Sequence, residues 1–194
     1  MPKRPSGPVG GFVTESIKGI HEWALWSLVQ GKFTGPDGTA FTRSFVTSPG
    51  AVGVVALQES TGARAPHVVL VRQYRPALHR LTLELPAGMR DQPDEPALET
   101  AQRELREEVG LTAREWTRLG CHVSAPGISD SQVELFLARS LEQVAVDRHG
   151  PEEQHMTIEE VALSDALAMV ADGVIDDAKT VIGLLLTEQL LRRG

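Results

Sequence analysis

Three carboxylates, Glu104, Glu107 and Glu108, fall close together in the run Arg103-Glu104-Leu105-Arg106-Glu107-Glu108-Val109-Gly110-Leu111. If that run is helical, they occupy about one and a half turns. Like charges three and four residues apart destabilise a helix unless something positive lies among them. A hard divalent cation with oxygen ligands is the simplest such object. The plainer reading is a solvated acidic face, in which Arg103, four residues before Glu107, and Arg106 supply ordinary ion pairs. Arg43, Arg72 and Arg75 form a second set. Their planar forks suit phosphate, although surface ion pairing would use the same residues. Glu84, just before Leu85-Pro86, is expected to face substrate or a metal-bound water, or else to cap a loop.

The elements that must position these groups follow from periodicity. Leu98, Ala101, Leu105 and Val109 recur at 3/4 spacing and predict an amphipathic helix. Pro96 suits its start and Gly110 its left-handed end. On that helix Glu104 and Glu108 share a flank, while Glu107 stands further round, facing Arg103. Ala51–Leu57, Val68–Tyr74 and Leu81–Leu85 read as strands, the first two buried on both faces. Trp116–Val123, Val133–Ala138 and Met156–Leu163 are further strand candidates. Helices are expected from Ser164 through Val170 and from Ala178 to Arg192, the last carrying Val181, Ile182, Leu185, Leu186 and Leu190. Upstream, Thr34-Gly35-Pro36-Asp37-Gly38-Thr39 is a turn signal between Trp23–Val29 and Phe41–Val46. Trp23 and Trp26, placed on one strand, are expected on opposite sides, one of them a candidate for stacking on a base. Strands flanking one helix, with helices at the end, imply an α/β fold: a helix–sheet–helix sandwich with a mixed sheet.

The 194 residues suit one main domain. A net charge of −7 argues against nucleic acid as a partner, since backbone binding needs a basic surface. An acidic protein acting on an anion needs arginines or a metal locally. The single cysteine, Cys121, excludes an intramolecular disulfide and fits a reducing cytoplasm. It lies in an apolar-flanked strand and reads as core. No apolar run approaches the roughly 20 residues of a spanning helix, and the N-terminus lacks the apolar stretch of a signal peptide. The expectation is therefore a cytoplasmic protein with no membrane partner.

Glu84-Leu85-Pro86-Ala87-Gly88, six residues, Glu95, seven residues, then Arg103 to Leu111 resembles a Nudix box. That pattern reads Gly, five residues, Glu, seven residues, Arg-Glu-apolar-x-Glu-Glu-x-Gly-apolar. This chain carries one extra residue between Gly88 and Glu95, so Asp94 could share the bracing role of Glu95. With Val71-Arg72-Gln73-Tyr74-Arg75, Ser124–Ala138 and Gly150–Met156, the chain is similar to the ADP-ribose pyrophosphatase branch of the Nudix hydrolases. The three Pro and three Gly of residues 1–11 imply a flexible tail. The resemblance implies a Nudix-type α/β/α sandwich over 48–194 and an N-terminal β extension over 12–47 that forms a homodimer by strand exchange. It implies Mg²⁺ or Mn²⁺ held by Glu104, Glu107, Glu108 and the Ala87 carbonyl, with Arg103 bracing the carboxylates. It further implies Glu153, or its neighbour Glu152, acting on the attacking water, and Arg43 and Arg75 contacting phosphate and nucleotide. The implied reaction is hydrolysis of a nucleoside diphosphate sugar, ADP-ribose to AMP and ribose 5-phosphate. A GDP- or UDP-sugar pyrophosphatase and a non-catalytic ADP-ribose sensor are the alternatives.

Overall fold

The aromatic-rich N-terminal run folds as a three-stranded antiparallel sheet of β1 (Val13–Trp23), β2 (Trp26–Thr34) and β3 (Ala40–Thr47). The structure is a computed structural model describing residues 7–59, 65–146 and 154–193. Residues to Gly50 together with Val123–Gln132 make up one unit, and Ala51–His122 with Val133–Gly194 make up a second. The Thr34–Thr39 turn lies between β2 and β3 as expected, with Asp37 accepting hydrogen bonds from the Thr39 amide and hydroxyl, both at 2.9 Å.

The other hairpin differs from the sequence expectation. Trp23 and Trp26 are cross-strand partners on either side of a two-residue turn at Ala24–Leu25. Directly opposed residues share a face of the sheet, so the two tryptophans do not point to opposite sides. Trp23 is exposed and stacks on His21 at 5.5 Å between ring centroids.

In the second unit the strands are β4 (Ala51–Gln58), β5 (His67–Arg75), β6 (Arg80–Glu84), β7 (Ala87–Met89), β8 (Leu111–Val123), β9 (Gln132–Gln143) and β10 (Thr157–Ala162). Its helices are α1 (Ala97–Val109), α2 (Leu163–Ala171) and α3 (Ala178–Leu191). The sheet runs β10-β5-β4-β9-β8, with β4 and β9 parallel and β5 antiparallel to both β4 and β10. β4 is apolar on both sides, and a strand of that kind needs a layer on each. Val52, Val54 and Ala56 pack with Ala101, Leu105 and Val109 of α1. Val55 and Leu57 pack with Leu163 and Ala166 of α2 and Leu184 of α3. The result is a mixed sheet between helices, as the sequence implied.

One irregularity places the site. β4 pairs β5 only through Ala56–Gln58, and pairs β7 through Ala51–Gly53. β5 pairs β6 through Val71–Arg75. The β6–β7 chain is therefore wedged where β4 and β5 part, and Glu84-Leu85-Pro86-Ala87 lies at the split.

Two apolar expectations are corrected, and the structure defines the buried face of α3. Leu98 is exposed, and its place on the buried side of α1 is taken by Thr100, whose hydroxyl donates to Glu95 at 2.8 Å. On α3 the buried residues are Thr180, Gly183, Leu184 and Thr187, while Leu185 and Leu190 face outward. Small residues there let the helix lie close on the sheet: a Cβ on Gly183 would fall 2.7 Å from Leu85 Cδ1. Cys121 on β8 is exposed rather than core.

Candidate active site

α1 begins after Pro96 and ends at Gly110, whose φ of 65° and ψ of 39° are left-handed. A side chain there would be strained and would also meet the Val144 carbonyl at 2.8 Å. The helix brings Glu104, Glu107 and Arg103 together as the sequence suggested. Arg103 Nη1 donates to Glu104 at 2.9 Å and to Glu107 at 3.2 Å. Nη2 reaches Asp91 and Glu95, both at 3.2 Å, and Nε donates to Glu95 at 3.3 Å. Burial works against its charge, yet the bond to Glu95 and the charges of Glu104, Glu95 and Glu107 raise its pKa above the ordinary arginine value. Glu95 in turn is held below the usual carboxylate range, chiefly by Arg103. The longer loop thus leaves Glu95 in its bracing place. Within that loop Asp94 adopts a positive φ of 63°.

Glu108 is buried, 4% exposed, and its Oε2 accepts the Ala87 amide at 2.9 Å. Glu104 lies against the same short strand: a Cβ on Gly88 would fall 2.0 Å from its Cδ. Only glycine allows β7 and this carboxylate to approach so closely. The α1 acids therefore sit over the main chain that carries the Ala87 carbonyl. Among the described residues, no three acidic, His or Cys side chains already converge as a metal cluster. Arg103 and the Ala87 amide hold the carboxylates toward themselves. As a donor set the group fits a hard divalent cation, being all oxygen, multiply anionic and cradled by a side-chain-free Gly88.

At the strand split lies a second charged group that sequence spacing did not reveal. Glu84 was expected to face substrate; it is 2% exposed, with both oxygens engaged by protein donors. Arg75 Nε donates to Oε1 at 2.7 Å and Nη2 to Oε2 at 2.6 Å. Thr82 Oγ1 donates to Oε1 at 2.5 Å, and Lys179 Nζ donates to Oε2. Burial pushes the Glu84 pKa up, but Arg75, Lys179 and Thr82 overcome it and hold it at about 2. The Arg75 pKa is raised above the ordinary arginine value mainly by Glu84, against burial, with Asp177 and Glu108 adding to the effect. The Arg75 guanidinium and the acidic helix therefore feel one another. Arg75 also lines a cleft of about 490 Å³ with Leu78, Arg80, Thr82 and Asp177. Lys179 and Asp177 were missed because they lie 95 and 93 residues from Glu84 in the chain. The only local trace was Asp177 as a helix cap, and its side chain does accept the Thr180 amide at 3.0 Å.

The remaining expected residues lie apart from this group or outside what is described. Arg72 forks onto Glu159 of β10, Nε at 2.5 Å and Nη2 at 3.1 Å, the ordinary ion-pair alternative. Arg43 belongs to the N-terminal unit. It is exposed on β3, lies 5.3 Å over the Phe41 ring, and lines a cleft of about 520 Å³ with Phe45, Pro126, Gly127 and Asp130. Glu152 and Glu153 lie outside the described residues.

Comparison with known proteins places these groups in context. Residues 47–181 match the family model described as NUDIX domain. An ADP-ribose pyrophosphatase of Bacillus subtilis (strain 168) is 36% identical over 149 residues, covering 77% of this chain and 77% of that protein. An ADP-ribose pyrophosphatase of Mycobacterium tuberculosis (strain ATCC 25618 / H37Rv) is 36% identical over 174 residues, 90% of this chain and 82% of that one. A GDP-mannose pyrophosphatase of Yersinia pestis (strain Pestoides F) is 33% identical over 122 residues, 59% of this chain and 61% of that one. The crystal structure of an ADP compounds hydrolase shares the fold, with a TM-score of 0.80 at 21% identity over 97% of this chain and 98% of the other.

Proposed function

Because the chain belongs to the NUDIX family, we propose that it hydrolyses the diphosphate bond of nucleoside diphosphate sugars, ADP-ribose first among them. Water is added across the bond, giving AMP and ribose 5-phosphate. The observation that carries the reading is the acidic face of α1, with Glu104 and Glu108 held against β7 over Gly88 and Ala87. The substrate is favoured by the 36% identity to two ADP-ribose pyrophosphatases.

A diphosphate resists hydrolysis because its anionic oxygens repel a nucleophile. Glu104, Glu107, Glu108 and the Ala87 carbonyl would hold Mg²⁺ or Mn²⁺, which would supply the neutralising charge and a more acidic water. The residues of the chain do the rest. Arg103 fixes the carboxylates of Glu104 and Glu107, and the Ala87 amide fixes that of Glu108. Arg75 offers a guanidinium edge to a phosphate oxygen. Arg43 is the nucleotide contact, a reading supported by its place in the cleft beside Pro126 and Gly127. Glu153, or Glu152, takes the proton of the attacking water, a role that rests on the resemblance. Arg72 is assigned to the sheet edge with Glu159 rather than to substrate.

We further take the active form to be a homodimer built through the N-terminal sheet. That reading is supported by β1, where Val13, Ile17, Ile20 and Trp23 are all exposed. No described helix is long and apolar enough to cross a membrane.

The test is turnover of ADP-ribose, GDP-mannose and UDP-glucose at saturating Mg²⁺, with chelator as control, reading nucleoside monophosphate release. ADP-ribose is expected to give the highest kcat/KM, and chelator to abolish it. A higher value for GDP-mannose replaces the substrate, and no release from any of the three refutes the hydrolase.

A further inference from the structure

Lys179 sits where a lysine is costly. It occupies the first turn of α3, the end of a helix that disfavours a cation, and its side chain is only 12% exposed. Desolvating an ammonium is unfavourable unless its partners compensate. Attachment of α3 to the sheet does not need it. The Thr180 hydroxyl already accepts the Leu85 amide at 2.9 Å, and Gly183 brings the helix against Leu85 and Val55. What Lys179 does touch is Glu84 and, at 3.0 Å, Asp177.

We propose that Lys179 is a positioning residue for substrate binding, acting through Glu84 to aim the guanidinium of Arg75. The inference rests on the reading of Arg75 as a phosphate contact. Three acids attract Arg75: Glu84 most strongly, then Asp177 and Glu108, and the first two of them also touch Lys179. Lys179 bridges those same two acids and offsets their charge. Arg75 is then held along a single edge, Nε and Nη2 on Glu84, and Nη1 donates to no described residue. With 42% of its side chain exposed, the guanidinium keeps a donor and a positive charge for a phosphate oxygen. Without Lys179, Glu84 and Asp177 have only Arg75 to balance two negative charges, and their surplus competes with substrate for the same arginine.

The experiment compares wild type, Lys179→Gln, Arg75→Gln and the double variant in steady-state hydrolysis of the best wild-type substrate at saturating Mg²⁺. Lys179→Gln is expected to raise KM roughly tenfold with kcat within about threefold, the signature of lost ground-state binding. Arg75→Gln should raise KM at least as much, and the double variant should be no worse than Arg75→Gln alone, since both changes remove one contact. A folded Lys179→Gln with wild-type KM overturns the inference, as do KM effects that multiply in the double variant. Arg75→Gln with wild-type KM removes instead the reading of Arg75 as a phosphate contact, and the inference with it. If Lys179→Gln does not fold, Lys179→Arg decides. Charge is kept, so KM within about threefold of wild type supports positioning. A KM raised as far as in Arg75→Gln overturns it.

Discussion

The two charged groups of the second unit are inverses of one another. At α1 the cation Arg103 is surrounded by the carboxylates of Asp91, Glu95, Glu104 and Glu107, with Glu108 close behind. At the strand split a single buried carboxylate, Glu84, is surrounded by the cations Arg75 and Lys179. The first group keeps a surplus of negative charge, all of it on oxygen, which suits it to a divalent cation. The second is balanced once Asp177 is counted, so its function lies in direction: a fixed acid holding a half-exposed guanidinium. The chain places the two next to each other through three residues, since Glu84 ends β6 and Ala87 begins β7 under Glu108. One group is built for charge and the other for aim.

The sharpest separation comes from Glu108→Gln. The amide oxygen can still accept the Ala87 N–H, so the fold should survive while one charged ligand is lost. Turnover at saturating Mg²⁺ is expected to fall by about 10³-fold or more. Near-normal kcat in this variant would remove α1 as the metal-binding element. The corresponding probe of the strand split is acid titration. The Glu84 pKa is about 2 in the folded chain against an ordinary 4.5. Because the folded value is the lower, the unfolded chain binds the proton first as pH falls. The stabilisation from Glu84 is therefore complete above pH 4.5 and is lost between 4.5 and 2, on the order of 3 kcal/mol. Urea unfolding from pH 6 to 2 should show that acid limb in wild type and a shallower one in Glu84→Gln. Matching limbs would mean that Glu84 is not held by Arg75 and Lys179 in solution.

How far each group could be read from the sequence follows from the same contrast. The α1 group is local. Arg103, Glu104, Glu107 and Glu108 sit on one helix whose stripe, start and left-handed end were legible, and the lengthened loop still delivers Glu95 to Arg103. The Glu84 group is assembled by topology. Glu84 and Arg75 were visible as separate residues, but their pairing needs the β5–β6 register, and Lys179 arrives from a helix 95 residues away. The buried face of α3 is not legible from side-chain bulk, since close approach to Leu85 selects Gly183 and the threonines. Ala24 hid the β1–β2 turn. It takes a φ of 44° with none of the Gly or Asn chemistry that announces such turns, so the strand seemed to run through Trp23 and Trp26.

Smaller effects test the balance of charge within α1. Arg103→Met leaves Asp91, Glu95, Glu104 and Glu107 facing one another in a site where the arginine is only 16% exposed. A loss of about 2 kcal/mol is expected without metal, since one partner of a largely buried ionic group has been removed. Saturating Mg²⁺ should then raise Tm more in the variant than in wild type, because a bound cation compensates repulsion that Arg103 otherwise relieves. An equal Mg²⁺ shift in both proteins would show that Arg103 and the metal do not act on the same carboxylates.

Arg72 marks the limit below which arginine–carboxylate geometry stops mattering. Its fork onto Glu159 resembles that of Arg75 onto Glu84, two N–H donors to two oxygens. The surroundings differ. Arg72 and Glu159 are 35% and 32% exposed, whereas Glu84 is 2% exposed. Water screens the first pair and the cost of ordering two long side chains offsets most of the gain. Arg72→Gln should therefore change unfolding free energy by only about 0.5 kcal/mol. Measured alongside Glu84→Gln in urea at pH 7, it asks whether bidentate geometry or burial sets the worth of these pairs. A loss as large as that in Glu84→Gln would assign it to geometry, and the contrast between the sheet edge and the strand split would disappear.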